Sequence, residues 1–201
     1  MFAVAANSRR GRARPGLVVL GLEAWVIQDG NYPDFRRGQV AEFAVGTRFL
    51  EAPVAARRAS GSCRRVSGAV HDLTGTVLAV FDHTWVLDCG FGVLVNGPPP
   101  EGLSPGDTVA GRAALGVDPF FYGGLAGVPG MPPLIYRWRI DGVLMQAAPW
   151  VEEGGRPVRD PSRSAHLPLE ATNARQDNGG FASYCLECSR LLAPPRRWPG
   201  P

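Results

Sequence analysis

The stretch VSGAVHDLTGTVLAVFDHTWVLDCGFGVLVNG occupies residues 66–97, and a proline-rich bend joins it to TVAGRAALGVD, residues 108–118. Short runs of apolar and β-branched residues alternate here with glycine, aspartate and asparagine, which favour turns. This pattern is typical of consecutive strands in an antiparallel sheet or barrel. We therefore predict an all-β fold with a small β-barrel over residues 66–118.

The rest of the chain carries the same signals. Its 26 glycines and 19 prolines make up more than a fifth of the 201 residues, and such residues interrupt helices while suiting short strands and turns. We expect less than about one residue in seven to be helical. Alternating apolar residues predict additional β-hairpins at 17–50, 134–148 and 166–192, which should share one core with the barrel because an isolated hairpin is unstable in water.

The domain organisation follows from the same reading. Residues 1–16 are polar and arginine-rich and are predicted to be a disordered basic arm. Residues 17–192 are predicted to form a single all-β domain with an exposed linker near 150–165. The proline-rich segment 193–201 is predicted to be a disordered tail. Side chains on the apolar sides of strands should form the core, namely Trp25, Phe43, Leu87, Trp138, Ile140 and Leu186.

Charge is distributed unevenly along the chain. All 21 basic residues are arginine, which indicates a GC-rich bacterial genome more than selection for phosphate binding. Residues 66–135 carry one arginine against six acidic residues, a net charge of −5, whereas residues 1–65 carry eleven arginines against five acidic residues, a net charge of +6. The predicted barrel is therefore acidic, which disfavours nucleic acid as its ligand.

The strand that begins at Gly75, the strand region Trp85–Val95, and the Pro105-Gly106-Asp107 turn before the closing strand together resemble an OB-fold barrel. The resemblance covers about a quarter of the chain. It implies a five-stranded barrel and, in the nucleic-acid-binding members of that fold, aromatic side chains that stack on bases.

Aromatic residues outside the alternating strands are candidates for a binding surface. Two loops, YPDFRR and PFFY, concentrate such residues, and three consecutive aromatics cannot all enter one core from a strand. Apolar anchors beside arginine are typical of protein interfaces, so we predict a non-catalytic protein-interaction module with an unidentified protein partner. The predicted binding residues are Tyr32, Phe35, Arg36, Arg37, Phe120, Phe121 and Tyr122.

Two alternatives belong to other classes. Single-stranded nucleic acid could bind through Phe81, Trp85, Arg137 and Arg139, because aromatic residues stack on bases while arginines contact phosphates. An enzyme could use the His71-Asp72 and Asp82-His83 pairs, provided that they converge beside a nucleophile.

The four cysteines, Cys63, Cys89, Cys185 and Cys188, do not form a zinc motif, because the single CxxC pair lacks a second pair of ligands. On a strand, Cys185 and Cys188 would point to opposite faces, with Cys188 inward and Cys185 outward. We expect no metal, no cofactor and no disulfide. The sequence begins without a secretory signal and contains no membrane-length apolar run, which predicts a cytoplasmic protein.

Overall fold

The structure is a computed structural model that describes residues 16–57, 60–160, 163, 165–177 and 182–198. Strands account for 53% of it, and its two helices have five residues each, so the predicted all-β class is confirmed. The elements are β1 (Leu17–Glu23), α1 (Ala24–Gln28), β2 (Val40–Phe43), β3 (Val45–Phe49), β4 (Val54–Ala55), β5 (Ser62–Ser67), β6 (Val70–Val80), β7 (Thr84–Asp88), β8 (Gly92–Asn96), β9 (Thr108–Val117), α2 (Phe121–Leu125), β10 (Tyr136–Ala147), β11 (Trp150–Glu153), β12 (Arg156–Arg159), β13 (Ala165–Leu169) and β14 (Ser183–Arg190).

Five of these strands close a small barrel, as predicted, although one of them, β3, lies outside the range 66–118 predicted for the barrel. β6, β7 and β8 form two antiparallel hairpins, and β9 pairs antiparallel with β6 and with β3. The barrel closes where β3 runs parallel to β8, with Gly46 opposite Leu94 and Thr47 opposite Val95. This cyclic order, with its single parallel pair, is that of an OB-fold barrel whose last strand has been moved to the start of the chain. β6 then corresponds to the first strand and β3 to the last.

The three additional hairpins predicted from the sequence are wrong in their pairing. In the region 17–50, β1 pairs with β14 and β9, whereas β2 pairs with β10. The region 134–148 is one continuous strand, β10, because its Asp-Gly signal marks a register shift between Ile140 and Gly142 instead of a turn. In the region 166–192, β13 and β14 flank β10 on opposite sides. In all three regions the strands pair with strands that are distant in sequence instead of with their nearest neighbours.

The resulting second layer, ordered β13-β10-β14-β1, shares a hydrophobic core with the barrel. The inward side chains of β10 and β14 pack in the same cluster as the barrel interior. Five of the six residues predicted to be core are buried: Phe43, Leu87, Trp138, Ile140 and Leu186.

Trp25 is the exception, since 46% of its side chain is exposed. The apolar run Leu17–Gln28 fits a single strand of the hairpin predicted at 17–50, but the strand ends at Glu23 and α1 follows. The helix buries Ala24, Val26 and Ile27 instead, because the change from a two-residue to a 3.6-residue period rotates Trp25 to the outside.

The segments predicted to lie outside the domain are only partly described. Residues 1–15 of the predicted basic arm lie outside the described residues. Within the predicted linker 150–165, β11 and β12 pair as a two-stranded hairpin, and β13 begins at Ala165. Gly154 and Gly155 both adopt positive φ at the tip of this hairpin, so the EEGGR sequence encodes a turn.

The chain end also differs from the disordered tail predicted for 193–201. Arg196 and Ile135 exchange two backbone hydrogen bonds, of 2.9 and 3.0 Å. Beyond this bridge the ring of Trp198 packs edge-to-face on Phe120, with centroids 5.9 Å apart. Residues 193–198 therefore lie against the domain, and residues 199–201 are outside the described residues.

Candidate functional site

An apolar cleft of about 880 Å³ lies where the β6–β7 loop faces α2. It combines two segments that are about forty residues apart in sequence, one around Phe81 and one around Phe121. Its size falls in the range of sites that receive a ligand or a partner side chain. The lining residues that carry the argument below are Phe81, Asp82, His83, Phe120, Phe121 and Leu125.

One wall of the cleft is built on the outer face of the barrel. Val86 and Leu94 point away from the barrel interior, because residues on either side of each one point into it. Both are fully buried by α2 and the loop that follows it. In OB-folds this face, on the second and third strands, binds oligonucleotides. Here it is covered by the chain itself.

Tyr122 fixes this covering segment. Its side chain is fully buried, and its hydroxyl donates to the Pro132 carbonyl at 3.0 Å while accepting the Leu134 N–H at 3.2 Å. Its own N–H donates to Asp118 Oδ2 at 3.0 Å. Tyr122 is therefore a core residue of the covering segment, although the sequence predicted it as a binding residue of the PFFY loop.

Phe121 points the other way. With 53% of its side chain exposed, it stands at the cleft as a large apolar group in solvent. Phe120, at the start of α2, adopts the left-handed region with φ 78°, the one described non-glycine residue to do so. Such strain in a phenylalanine costs about 1–3 kcal/mol and is concentrated at functional sites.

The first aromatic loop supports the cleft from behind without lining it. The Tyr32 ring stacks on Phe120, and its hydroxyl donates to the Asp118 carbonyl at 3.2 Å. Phe35 is buried in the main core. Arg36 is exposed, with its backbone bridged to Ala171. Arg37 is also exposed, and its guanidinium lies 3.6 Å from the Glu170 carboxylate. Neither arginine borders the cleft.

One exposed carboxylate lies at the edge of the cleft and a second, buried one lies beneath α2. Asp82 and His83 are exposed at its edge, and Asp82 makes no ion pair within the part of the chain that the structure describes. Asp118 is buried beneath α2, and burial raises its pKa to about 6. Its Oδ1 has no hydrogen-bond partner among the described residues. Among the described residues that line the cleft, none is an arginine.

The residues predicted for nucleic-acid binding do not come together. Phe81 lines the cleft. Trp85 points into the barrel, where it stacks on Phe49 with centroids 5.6 Å apart. Arg137 and Arg139 are exposed on β10 and pair with carboxylates, those of Glu42 at 3.6 Å and Asp141 at 2.7 Å.

The two His/Asp pairs also remain apart. His71 is buried near the start of β6, where its Nδ1 lies 3.0 Å from the Ala69 carbonyl and burial lowers its pKa. Asp72 points outward and pairs with Arg64 and Arg112. Asp82 and His83 follow the opposite end of β6. The two His/Asp pairs therefore do not meet in one site, as the enzyme alternative requires.

The cysteines lie as strand geometry predicts, with one difference. Cys188 is fully buried and faces the core. Cys185 faces the other side, as predicted, yet it is also buried, with His166 Nε2 3.9 Å from its sulfur. The described residues contain no group of three or more His, Cys, Asp or Glu side chains placed to hold a metal ion.

Comparison with known proteins yields no match: no family model fits this chain, and neither a curated protein nor a solved structure matches it significantly. Among the described residues no helix has the length and apolar character needed to cross a membrane. The candidate site therefore rests on the geometry alone. The pairing of Phe81 with Phe120 and Phe121 was missed from the sequence because it depends on how α2 folds over the barrel.

Proposed function

We propose that the protein is a non-catalytic interaction module whose aromatic cleft receives an apolar side chain of a partner protein. The observation that carries this proposal is Phe121, which is more than half exposed although its neighbour Tyr122 is completely buried. Exposing a phenylalanine beside an apolar cleft forgoes roughly 1.5–3 kcal/mol of burial. Contiguous exposed apolar surface of this kind marks interaction sites.

The partner segment is best matched by an aromatic or large aliphatic side chain next to an arginine or lysine. The apolar side chain would fill the space between Phe81 and Phe121, which both line the cleft. The cation would face Asp82, which is exposed at the cleft edge and has no ion pair within the described residues. Complementary charge at an interface rim contributes mainly to specificity and association rate.

The fold supports a protein partner more than a single-stranded nucleic acid. The face that OB-folds use for oligonucleotides is covered by α2. The cleft also lacks the cationic side chains that would contact phosphates, since its described lining contains no arginine. Four free thiols in the described residues fit a reducing compartment, and we extend the proposal to a cytoplasmic location.

The first experiment places a photo-crosslinking amino acid, p-benzoylphenylalanine, at position 121 in the full chain expressed in its host cells. The matched control carries the same group at position 167, because Leu167 is an apolar residue of similar exposure, 46%, on β13. We expect a protein adduct from position 121 that position 167 does not give. Nucleic-acid adducts from position 121, or identical products from both positions, would contradict the proposal.

The second experiment measures affinity for the adduct's crosslinked segment, prepared as a synthetic peptide. Phe81→Ala and Phe121→Ala should each weaken binding at least tenfold, equivalent to about 1.4 kcal/mol. Asp82→Asn should weaken binding less, and its effect should shrink as salt is raised. Trp25→Ala is the control, because Trp25 is exposed on α1 and does not line the cleft. Equal affinity for all variants would rule out the cleft as the binding site.

A further inference from the structure

Two strands that are distant in sequence meet end to end on one edge of β6. β5 pairs with Val70–Thr74 of this strand and β7 pairs with Thr76–Val80, while β9 occupies the opposite edge. The first residues of β5 therefore lie against the last residues of β7. The approach is close, because a Cβ added at Gly61 would lie 2.6 Å from the backbone nitrogen of Gly90.

This junction brings Cys63 and Cys89 together. Cys63 is opposite Leu73 on β6, and Leu73 is buried in the core, so Cys63 faces the same way. Cys89 lies two positions after Leu87, another core residue, and shares its face. Cys89 belongs to the main core cluster and Cys63 packs against it, while the Cys89 thiol donates to the Phe91 carbonyl at 3.5 Å.

The two thiols differ in a way that suits oxidation. Cys63 is half-buried, whereas Cys89 is buried. The interaction with Cys89 lowers the pKa of Cys63, whereas the interaction with Cys63, together with burial, raises the pKa of Cys89. Cys63 therefore has more thiolate character and better access to small oxidants. Cys89 is placed to react with whatever forms on Cys63.

We propose that Cys63 and Cys89 form a redox-active pair that a hydroperoxide converts into a disulfide. In the first step the Cys63 thiolate attacks the peroxide oxygen, breaking the O–O bond to give a sulfenic acid and releasing water once the leaving hydroxide is protonated. In the second step the Cys89 sulfur displaces the sulfenic hydroxyl, which leaves as a second water. Overall, two thiols are oxidised to one disulfide while one hydrogen peroxide is reduced to two waters.

The disulfide would tie the start of β5 to the end of β7. β5 is the terminal strand of the sheet, held by its pairing with β6. A disulfide between residues 63 and 89 restricts the conformations of the unfolded chain between these two positions. The oxidised protein should therefore melt about 5–10 °C higher than the reduced one. This inference is independent of the aromatic cleft.

The test oxidises the full chain with hydrogen peroxide and maps the products after tryptic digestion without reduction. Cleavage at arginine places Cys63 and Cys89 in separate peptides, both distinct from the peptide that contains Cys185 and Cys188. We expect titratable thiols to fall from four to two, a cross-linked peptide joining Cys63 to Cys89, and reversal by dithiothreitol. Melting temperatures of the oxidised and re-reduced samples are then compared.

Cys63→Ala and Cys89→Ala should each abolish both the cross-link and the melting shift. A variant with Cys185→Ser and Cys188→Ala is the control that retains the pair, and it keeps the test decisive if a single variant at the junction fails to fold. Irreversible oxidation of Cys63 without a cross-link would overturn the proposal. A cross-link between molecules, or one that lowers the melting temperature, would do the same.

Discussion

Phe120 stacks on Tyr32, with ring centroids 4.7 Å apart and 28° between the ring planes. The stack joins the two aromatic loops of the chain, and it holds a residue of the cleft whose backbone is in the left-handed region. Tyr32 also contacts Phe35 and Phe43, at centroid distances of 5.7 and 6.4 Å. The first loop thus acts as a support that keeps Phe120 in place.

This arrangement predicts the effect of truncating Tyr32. Tyr32→Ala removes the stack and the edge contacts, so the free energy of unfolding should fall by about 2–4 kcal/mol. Tyr32→Phe keeps the ring and loses only the hydroxyl bond to the Asp118 carbonyl, and it should cost about 1 kcal/mol. Urea denaturation of both variants measures the difference. Equal losses would show that the ring contacts contribute nothing.

The two tryptophans Trp25 and Trp138 provide a matched pair for the core. Trp138 is fully buried, stacks on Phe43 with centroids 5.8 Å apart, and donates its Nε1–H to the Phe43 carbonyl at 3.2 Å. Trp138→Ala should cost about 3–5 kcal/mol. Trp25→Ala should cost less than about 1 kcal/mol, because the side chain is nearly half exposed. Denaturation curves that show similar losses for the two would contradict these assignments.

Asp118 predicts a pH-dependent stability. Burial raises its folded-state pKa from 3.8 to about 6, so the folded protein holds this proton more tightly than the unfolded chain does. The stability that protonation provides is fully present below pH 4 and is lost as the pH rises through 6. Asp118→Asn removes the charge but keeps an oxygen that can accept the Tyr122 N–H. It should therefore stabilise the protein at pH 8 by up to roughly 3 kcal/mol, with little effect at pH 3.5.

The free energy of unfolding of the wild type and of Asp118→Asn, measured as a function of pH, tests whether the substitution stabilises the protein at high pH. Asp82→Asn is the control, since Asp82 is exposed and its neutralisation should change stability little at any pH. A variant at position 118 that is less stable than the wild type at pH 8 would show that the carboxylate is needed as an anion to hold α2.

The alternation of apolar and polar residues predicted much of this fold. Alternation between Val70 and Val80 and the turn residues after them predicted β6, β7 and β8 as hairpin neighbours, and their pairing agrees. The sequence predicted β-structure over 17–50 but not that β3 closes the barrel, because β3 lies outside the range 66–118 predicted for the barrel and pairs in parallel with β8. Parallel pairing between distant segments leaves no turn signal in the sequence.

The candidate site was predictable only in part. The run Phe120-Phe121-Tyr122 indicated that not every ring could enter the core, and the structure places Phe121 outside and Tyr122 inside. Which ring is exposed depends on the five-residue helix α2 and on the hydrogen bonds of the Tyr122 hydroxyl. Both depend on contacts with residues 132–134, and short helices of this kind are set by tertiary packing.

The last prediction concerns the C-terminal segment, because it contacts both α2 and Phe120. The Trp198 ring packs edge-to-face on Phe120 and over Gly123, which lies within α2. The Arg197 guanidinium donates to the Ala126 carbonyl at 3.4 Å. Removing the indole should therefore loosen α2 and Phe120 together, even though Trp198 does not itself line the cleft.

Trp198→Ala should lower the free energy of unfolding by about 1–2 kcal/mol, less than a fully buried tryptophan would, because Trp198 is only partly buried. Amide hydrogens of α2 should exchange at least fivefold faster, while those of β6 keep their relative protection, because local opening is set by local contacts. Leu192→Ala is the control, since Leu192 lies in the same segment and is fully exposed. If the exchange of α2 is the same in both variants, α2 is held by the barrel alone and the tail has no part in shaping the cleft.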